Sequence, residues 1–217
     1  YLVDNNGTYG LTKGQFSATN DKGSTSKKGI PNLYEPIDLV SSALQIGASF
    51  VARSFSGDKK QLVPLIKAAL SHKGMAFIDV ISPCVAFNNH SGSTKSYEFV
   101  RDHIHNVMDA DLIMAHDEVT ADYAEGSRED VTMPDGSTLQ LYKVDADYDP
   151  HDRVGALNYV QRMQEKGEVV TGLLYVDPDA VECHDIMDTV SQPLNELTEA
   201  DLCPGSDTLD ALNQRYR

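Results

Sequence analysis

The sequence is short of cysteine, short of positive charge and without any long apolar run. Its three cysteines, Cys84, Cys183 and Cys203, are odd in number and far apart. They do not form a disulfide framework and fit a reducing cytoplasm, so a cytoplasmic protein is expected. Lysine and arginine total 18 against 33 aspartates and glutamates, a net charge of −15. A general nucleic-acid binder needs a basic face for phosphate, and that class is excluded. No apolar stretch approaches the roughly 18–20 residues of a membrane span, and no basic-plus-apolar leader opens the chain. Neither membrane anchoring nor secretion is expected. Gly-x-Ser-x-Gly and a complete P-loop are also absent, which leaves hydrolase and nucleotide-kinase readings without support.

What is present is an ordinary globular composition, with 217 residues, 41% hydrophobic and 24% charged. The charge is unevenly spread. Residues 1–105 hold 11 Lys/Arg and 8 Asp/Glu, whereas residues 106–217 hold 7 and 25. Two regions are therefore expected, 1–105 and an acidic 106–217.

Tyr1–Asp4 reads as the tail of a buried strand. Residues 12–37, rich in Gly, Ser, Thr and Lys, have no period and read as a long loop, of the kind that is functional or mobile. Asp38 is placed to cap a helix over 39–46 that Gly47 ends, and 48–54 reads as a strand. The spacing predicts a helix over 59–71, with Leu62, Leu65, Ile66, Ala69 and Leu70 on one face and Pro64 delaying or kinking it. Gly74–Ser82 has the apolar, β-rich pattern of a strand covered on both sides. Strand and helix alternating at this spacing predict an α/β fold with a parallel sheet. Farther on, 109–116 reads as a short helix or strand, and Pro134-Asp135-Gly136 as a turn between strands within 131–142. Residues 152–166 read as a helix, 169–176 as a strand, and 195–217 as an acidic tail with a last helix.

Ligands of parallel sheets bind beyond the carboxyl ends of the strands. Two stretches sit there, Asn5–Lys13 and Pro83–Asn89. In Asp4-Asn5-Asn6-Gly7-Thr8-Tyr9-Gly10-Leu11-Thr12-Lys13-Gly14-Gln15, an asparagine oxygen and a carbonyl two residues later can converge on a hard cation such as Mg²⁺. An asparagine turn capping the next element is the alternative. In Ser82-Pro83-Cys84-Val85-Ala86-Phe87-Asn88-Asn89, Cys84 is either a small core residue or a ligand presented at a strand end. Lys13 is either a solvated loop lysine or a point charge for an anionic substrate.

The first string resembles the second half of the thiamin diphosphate motif, in which Gly-Asp-Gly is followed after a gap by Asn-Asn. More narrowly, Asn-Gly-Thr-Tyr-Gly-Leu-Thr-Lys-Gly-Gln and Ser-Pro-Cys-Val-x-Phe-Asn are both similar to strings in the β subunits of the 2-oxoacid:ferredoxin oxidoreductases. The resemblance implies a thiamin diphosphate-binding fold over residues 1–105, followed by an acidic α+β extension. It implies Mg²⁺ held by the Asn6 side chain and the Thr8 carbonyl, with Tyr9, Gly10 and Leu11 in the thiamin diphosphate region. It places Lys13 beside the 2-oxoacid or coenzyme A, and makes Cys84 one ligand of a 4Fe-4S cluster. Cys183 and Cys203 match no ligand position and read as structural. No Gly-Asp-Gly occurs in the chain. The resemblance therefore implies an N-terminally truncated β subunit, with Gly-Asp-Gly and the remaining cluster ligands upstream of Tyr1.

The implied activity is coenzyme A-dependent oxidative decarboxylation of a 2-oxoacid, with electrons leaving through the cluster to ferredoxin. Gly14-Gln15-Phe16-Ser17-Ala18-Thr19 resembles the two-subunit class often assigned to 2-oxoglutarate, a resemblance that favours 2-oxoglutarate over pyruvate. The implied partners are an α subunit, ferredoxin, coenzyme A and the 2-oxoacid. Ferredoxins are usually acidic, so docking is expected away from 106–217, near Lys22, Lys27 and Lys28. A non-redox thiamin enzyme would keep the asparagine motif but have no use for Cys84 as a ligand. A non-catalytic acidic interaction module is the rival of another class.

Two further clusters are weaker. His103 and His105 would be splayed apart by a helix following Ser96. The acidic run from Asp145 to Asp152 lacks the glycine and glutamate of a calcium loop and reads as a turn capping the next helix.

Overall fold

The computed structural model describes residues 1–26, 29–113, 128–132, 138–143, 147–203 and 205–216. Strand β1, Leu2–Asn5, leads into a small hairpin of β2, Thr8–Tyr9, and β3, Gln15–Phe16. A long loop follows, then α1 (Leu39–Gln45), β4 (Phe50–Phe55), α2 (Lys59–Ser71) and β5 (Ala76–Ile81). Helix α3, Tyr97–His103, runs directly into β6, Ile104–Ile113. Then come β7 (Arg128–Thr132), β8 (Thr138–Lys143), α4 (Arg153–Glu165) and β9 (Val169–Val176). The last residues form α5 (Cys183–Ile186), a 3₁₀ turn over Leu194–Glu196, α6 (Glu199–Leu202) and α7 (Ser206–Arg215).

The helix starts follow from their caps. Asp38, Asp58, Ser96 and Asp152 each accept a hydrogen bond from a backbone N–H of the first turn of α1, α2, α3 and α4. The acidic run ending at Asp152 is thus a helix cap, as its composition suggested, although Asp145 lies outside the described residues.

Seven strands form one sheet in the order β1-β5-β4-β9-β6-β8-β7. The first three are parallel and in level register, Asn5 beside Ile81 and Ile81 beside Phe55. The chain passes from β1 over to β4 and then returns to place β5 between them. With right-handed crossovers, moves in opposite directions put α1 and α2 on opposite faces of the sheet. The carboxyl ends of β1 and β5 are therefore neighbours whose onward loops meet. Beyond β4 the sheet is mixed: β9 pairs antiparallel with β4 and parallel with β6, and β8 and β7 continue antiparallel.

Phe50, Val51, Ala52, Leu65, Leu173 and Leu174 are fully buried at the centre of the core. The chain packs as two units, Tyr1–Val181 and Glu182–Arg217. The charge boundary near residue 105 falls inside the first unit, since β9 lies next to β4 in the same sheet. The second unit is a string of short helices with no buried residue among those described.

Two expectations need correction. The Tyr1–Asp4 strand is not buried: it is the sheet edge, with only β5 beside it among the described strands, so Tyr1 is 84% exposed. On α2, Leu70 points to solvent at 82% exposure, while Gln61, Leu65 and Ala68 form the buried face. Gln61 was missed because its amide serves a buried hydrogen bond, from Ser54 Oγ to its Oε1 at 2.9 Å. The turn at Pro134-Asp135-Gly136 lies outside the described residues, but β7 and β8 pair antiparallel on either side of it. No helix among the described residues is long and apolar enough to cross a membrane.

Candidate cofactor site

The loops that leave β1 and β5 are stitched together by backbone and asparagine amides. Asn5 closes β1; its carbonyl accepts from Ser82 N–H at 3.0 Å and its Oδ1 from the Thr19 hydroxyl at 2.7 Å. The Asn6 carbonyl accepts from Cys84 N–H at 3.3 Å and from Asn88 Nδ2 at 3.0 Å. The Gly7 carbonyl accepts from Ser17 N–H at 3.2 Å and from Asn20 Nδ2 at 2.9 Å. Asn20 Nδ2 also approaches Asn88 Oδ1, at 3.4 Å. Asn20 and Asn88 are both buried, so their amide nitrogens are desolvated donors with defined partners.

Glycine is required at position 7 for two reasons. Its φ is +73°, and a Cβ there would lie 2.3 Å from Asn88 Nδ2. The next turn is fixed by Asn6 itself, whose Oδ1 accepts from Thr8 N–H at 3.2 Å. That bond uses one lone pair of Oδ1 and leaves the other.

The hairpin then folds back. Gly14 N–H donates to Tyr9 O at 3.0 Å and Lys13 N–H to Gly10 O at 3.1 Å. Lys13 takes φ +70°, an uncommon conformation for a residue with a side chain. Tyr9, Leu11 and Lys13 are exposed on this hairpin, Leu11 almost completely at 98%. Gly10 lies against the second loop, since a side chain at that position would sit 3.8 Å from the Cys84 sulfur. Cys84 itself is a free, half-buried thiol.

Between the two loops lies a cleft of about 190 Å³ that Thr8, Gly14, Asn20, Phe87 and Asn89 help to line. Two buried oxygens of these residues, Thr8 Oγ1 and Asn20 Oδ1, have no hydrogen-bond partner among the described residues. Hydroxyl and amide oxygens of this kind are donors that suit a hard cation, and the His90 imidazole lines the same cleft. Together with the glycine cradle, these unmet oxygens fit a magnesium diphosphate group. For an iron–sulfur cluster the fit is one ligand, Cys84. Among the described residues no group of three or more His, Cys, Asp or Glu could hold a metal.

A second, larger cleft of about 590 Å³ opens at the same strand ends, lined by Asn5, Asp38, Arg53, Asp79 and Lys95 among others. Arg53, buried in β4, donates to Asp79 Oδ2 at 2.9 Å and to Asp38. Burial alone would raise the Asp38 carboxyl, but the Arg53 charge and the hydrogen bonds from Ser41 and Arg53 outweigh it and hold it below its ordinary value. Asp21 clips the long loop to the chain after β5, accepting from Thr94 N–H at 2.9 Å beside Lys95.

Sequence reasoning picked out Asn6, Thr8, Gly10 and Cys84, and the structure brings them together. It missed Asn20, Asn88 and the Arg53–Asp38–Asp79 group. A signal existed for the last: Arg53 and Asp79 are the lone charges, of opposite sign, in two adjacent and mostly apolar strands. His103 and His105 do not converge; His103 Nδ1 faces the Phe99 carbonyl at 2.9 Å and His105 Nε2 the Tyr159 hydroxyl at 2.6 Å.

Residues 1–80 match the C-terminal TPP-binding domain of the thiamine pyrophosphate enzymes. More particularly, the chain resembles the β subunits of the 2-oxoacid:ferredoxin oxidoreductases. It is 39% identical over 109 residues to the β subunit of 2-oxoacid:ferredoxin oxidoreductase 1 of Aeropyrum pernix, covering 50% of this chain and 33% of the relative. It is 38% identical over 91 residues to the 2-oxoglutarate oxidoreductase subunit KorB of Mycobacterium tuberculosis, covering 42% and 24%. The alignments thus span about a third or less of these curated relatives. The fold is also that of the 2-oxoglutarate:ferredoxin oxidoreductase from Magnetococcus marinus solved with 2-oxoglutarate, coenzyme A and succinyl-CoA bound. That match has a TM-score of 0.66 at 24% identity and covers 98% of this chain and 57% of that one.

Proposed function

We propose that the chain is the β subunit of a cytoplasmic 2-oxoglutarate:ferredoxin oxidoreductase that works with an α subunit. The reaction takes 2-oxoglutarate, coenzyme A and two one-electron acceptors to succinyl-CoA, CO₂, one proton and two reduced acceptors. The observation that carries this reading is the hydrogen bond from Cys84 N–H to the Asn6 carbonyl. It makes the two strings that resemble the family one structural unit. Thiamin diphosphate, when bound, supplies the electron sink that decarboxylation requires.

The chain's own residues bind and orient. Asn6 Oδ1 and the Thr8 carbonyl would hold Mg²⁺ at the diphosphate, while Gly7 allows the backbone to approach it. Asn88 fixes the Asn6 backbone carbonyl against the second loop, and Asn20 fixes that of Gly7 against the long loop after β3. Tyr9, Gly10 and Leu11 border the cofactor, and Lys13 offers its ammonium to a carboxylate of the 2-oxoacid or a phosphate of coenzyme A. Cys84 would supply one thiolate to a 4Fe-4S cluster, a group whose chemistry is one-electron transfer of the kind a ferredoxin acceptor needs.

The test is the complex with its α subunit, assayed for 2-oxoglutarate- and coenzyme A-dependent reduction of methyl viologen, alongside iron and sulfide analysis. Cys84→Ala is expected to remove the cluster and acceptor reduction while leaving Mg²⁺–thiamin diphosphate binding nearly unchanged. Asn6→Ala is expected to weaken that binding about 10–100-fold, as loss of a metal-positioning group does. Bound thiamin diphosphate without iron would indicate a non-redox thiamin enzyme instead, and faster turnover of pyruvate would overturn the choice of 2-oxoacid.

A further inference from the structure

In a chain of net charge −15, helix α2 carries an uncompensated basic face. Lys59, Lys60 and Lys67 on α2, and Lys73 just past its C-cap, are all exposed. None of the four takes part in a salt bridge among the described residues. Helical spacing aligns Lys60, Val63, Lys67 and Leu70 as one stripe, since residues three or four apart share a face. Val63 and Leu70 stand out from it at 46% and 82% exposure, with lysines on either side. The nearest acid on the element, Asp58, is committed to capping, accepting from Gln61 N–H at 3.2 Å. A small apolar centre with a cationic rim is the anatomy of a docking face for an acidic protein. The charges steer the encounter and the aliphatic groups desolvate on contact.

Its place in the fold gives the face a use. Ser56 N–H donates to the Ile81 carbonyl at 2.9 Å, joining the end of β4 to the end of β5. Three residues onward from Ser56 stands Lys59, and three onward from Ile81 stands Cys84. At the extended-chain limit their Cα atoms lie within roughly 27 Å. The amino-terminal end of the basic stripe therefore rises from the same carboxyl end of the sheet as the proposed cluster ligand. By contrast, Lys22 is already paired with Glu35, and Lys27 and Lys28 lie outside the described residues.

We infer that the α2 stripe of Lys60, Val63, Lys67 and Leu70 is the surface on which the acidic electron acceptor, ferredoxin, docks. The inference rests on the function proposed above. It is tested in the assembled complex with Lys60→Glu/Lys67→Glu and the milder Lys60→Gln/Lys67→Gln. The expected result is a KM for ferredoxin raised about tenfold in the glutamate variant and less in the glutamine variant at low ionic strength. The difference should fade above about 0.5 M salt, where the screening length is only a few ångströms. The kcat for ferredoxin and the rate of methyl viologen reduction should not change. Unchanged ferredoxin KM values at low salt would overturn the inference. So would a parallel loss of viologen reduction, which would mark α2 as structural. Loss of self-association by sedimentation, with ferredoxin kinetics intact, would identify a second copy as the occupant and overturn it too. If the unsubstituted complex reduces no viologen with 2-oxoglutarate, the proposed function fails, and the inference with it.

Discussion

Asn88 is a small residue with a large share of the site's geometry. Its amide nitrogen donates to Asn6 O, its backbone N–H donates to Cys84 O at 2.7 Å, and it has no solvent exposure. Removing the side chain would leave the Asn6 carbonyl with the longer Cys84 bond alone and would deprive Asn20 of a neighbour. Asn88→Ala is expected to destabilise the first unit by about 1–3 kcal/mol, the usual loss for a buried polar group left short of its partner. Denaturant titration measures this directly. Because the same amide positions the loop of Asn6, weaker Mg²⁺–thiamin diphosphate binding should accompany it, read by isothermal titration of the complex. Gly7→Ala sits on the other side of the same contact. A Cβ would press on Asn88 Nδ2 while the backbone remains at φ +73°, so the same two losses are expected without removing any polar group. If Gly7→Ala binds the cofactor like the unsubstituted protein, the close approach has no role in the cradle.

Among the elements, α2 and the pair β4–β5 show what the sequence could and could not reveal. The apolar runs of β4 and β5 and the 3.6-residue period of α2 were legible, because burial on a sheet and burial of a helix stripe each leave a pattern in adjacent residues. The insertion of β9 antiparallel beside β4 was not, since neighbours in a sheet are chosen by long-range packing. Asn6 and Cys84 were legible through their strings, whereas Asn20 and Asn88 look like loop asparagines until the fold supplies their partners. Two outcomes belong at this scale. Pro64 lies inside α2 without interrupting it, but it cannot donate to the Lys60 carbonyl. Pro64→Ala is expected to stabilise the protein by about 1–3 kcal/mol, visible as a higher Tm.

The other concerns Arg53, which joins β4, β5 and the start of α1. The depressed Asp38 carboxyl contributes stability that is fully present above its unfolded value, about 3.9, and is lost as pH falls through the lower folded value. Arg53→Met removes the cation and leaves two carboxylates in the same buried place. Without the Arg53 charge, burial is left as the dominant influence on Asp38 and pushes its carboxyl up, so the sign inverts. Stability would increase as pH falls from neutral toward the unfolded carboxylate value of about 4, after an overall loss of about 3–5 kcal/mol at neutral pH. A set of denaturation curves across that range, giving the same slope for both proteins, would show that Arg53 is not what holds Asp38 ionised.

The whole molecule divides into a unit with a core and a unit without one. Tyr1–Val181 contains every buried residue described, while Glu182–Arg217 buries none and leaves Ile186, Met187, Val190, Leu194, Leu202, Leu209 and Leu212 exposed. Helices of four to ten residues are marginal in water without tertiary packing, because each must bear its own nucleation penalty. Local opening in the second unit should therefore be nearly free, while the core strands β4 and β9 open only with global unfolding. Hydrogen exchange of the chain by itself is expected to be complete within seconds across 182–217 and slow across Phe50–Phe55 and Val169–Val176. Brief proteolysis should cut the second unit first, and the product retaining 1–181 should melt at the same temperature as the intact chain. The exposed leucines suggest that this changes in the assembled complex. There, α7 should gain protection if its Leu209 and Leu212 face is covered by the α subunit, and exchange measured with and without that subunit decides the matter. Equal exchange in both states would mean that the second unit contributes nothing to assembly.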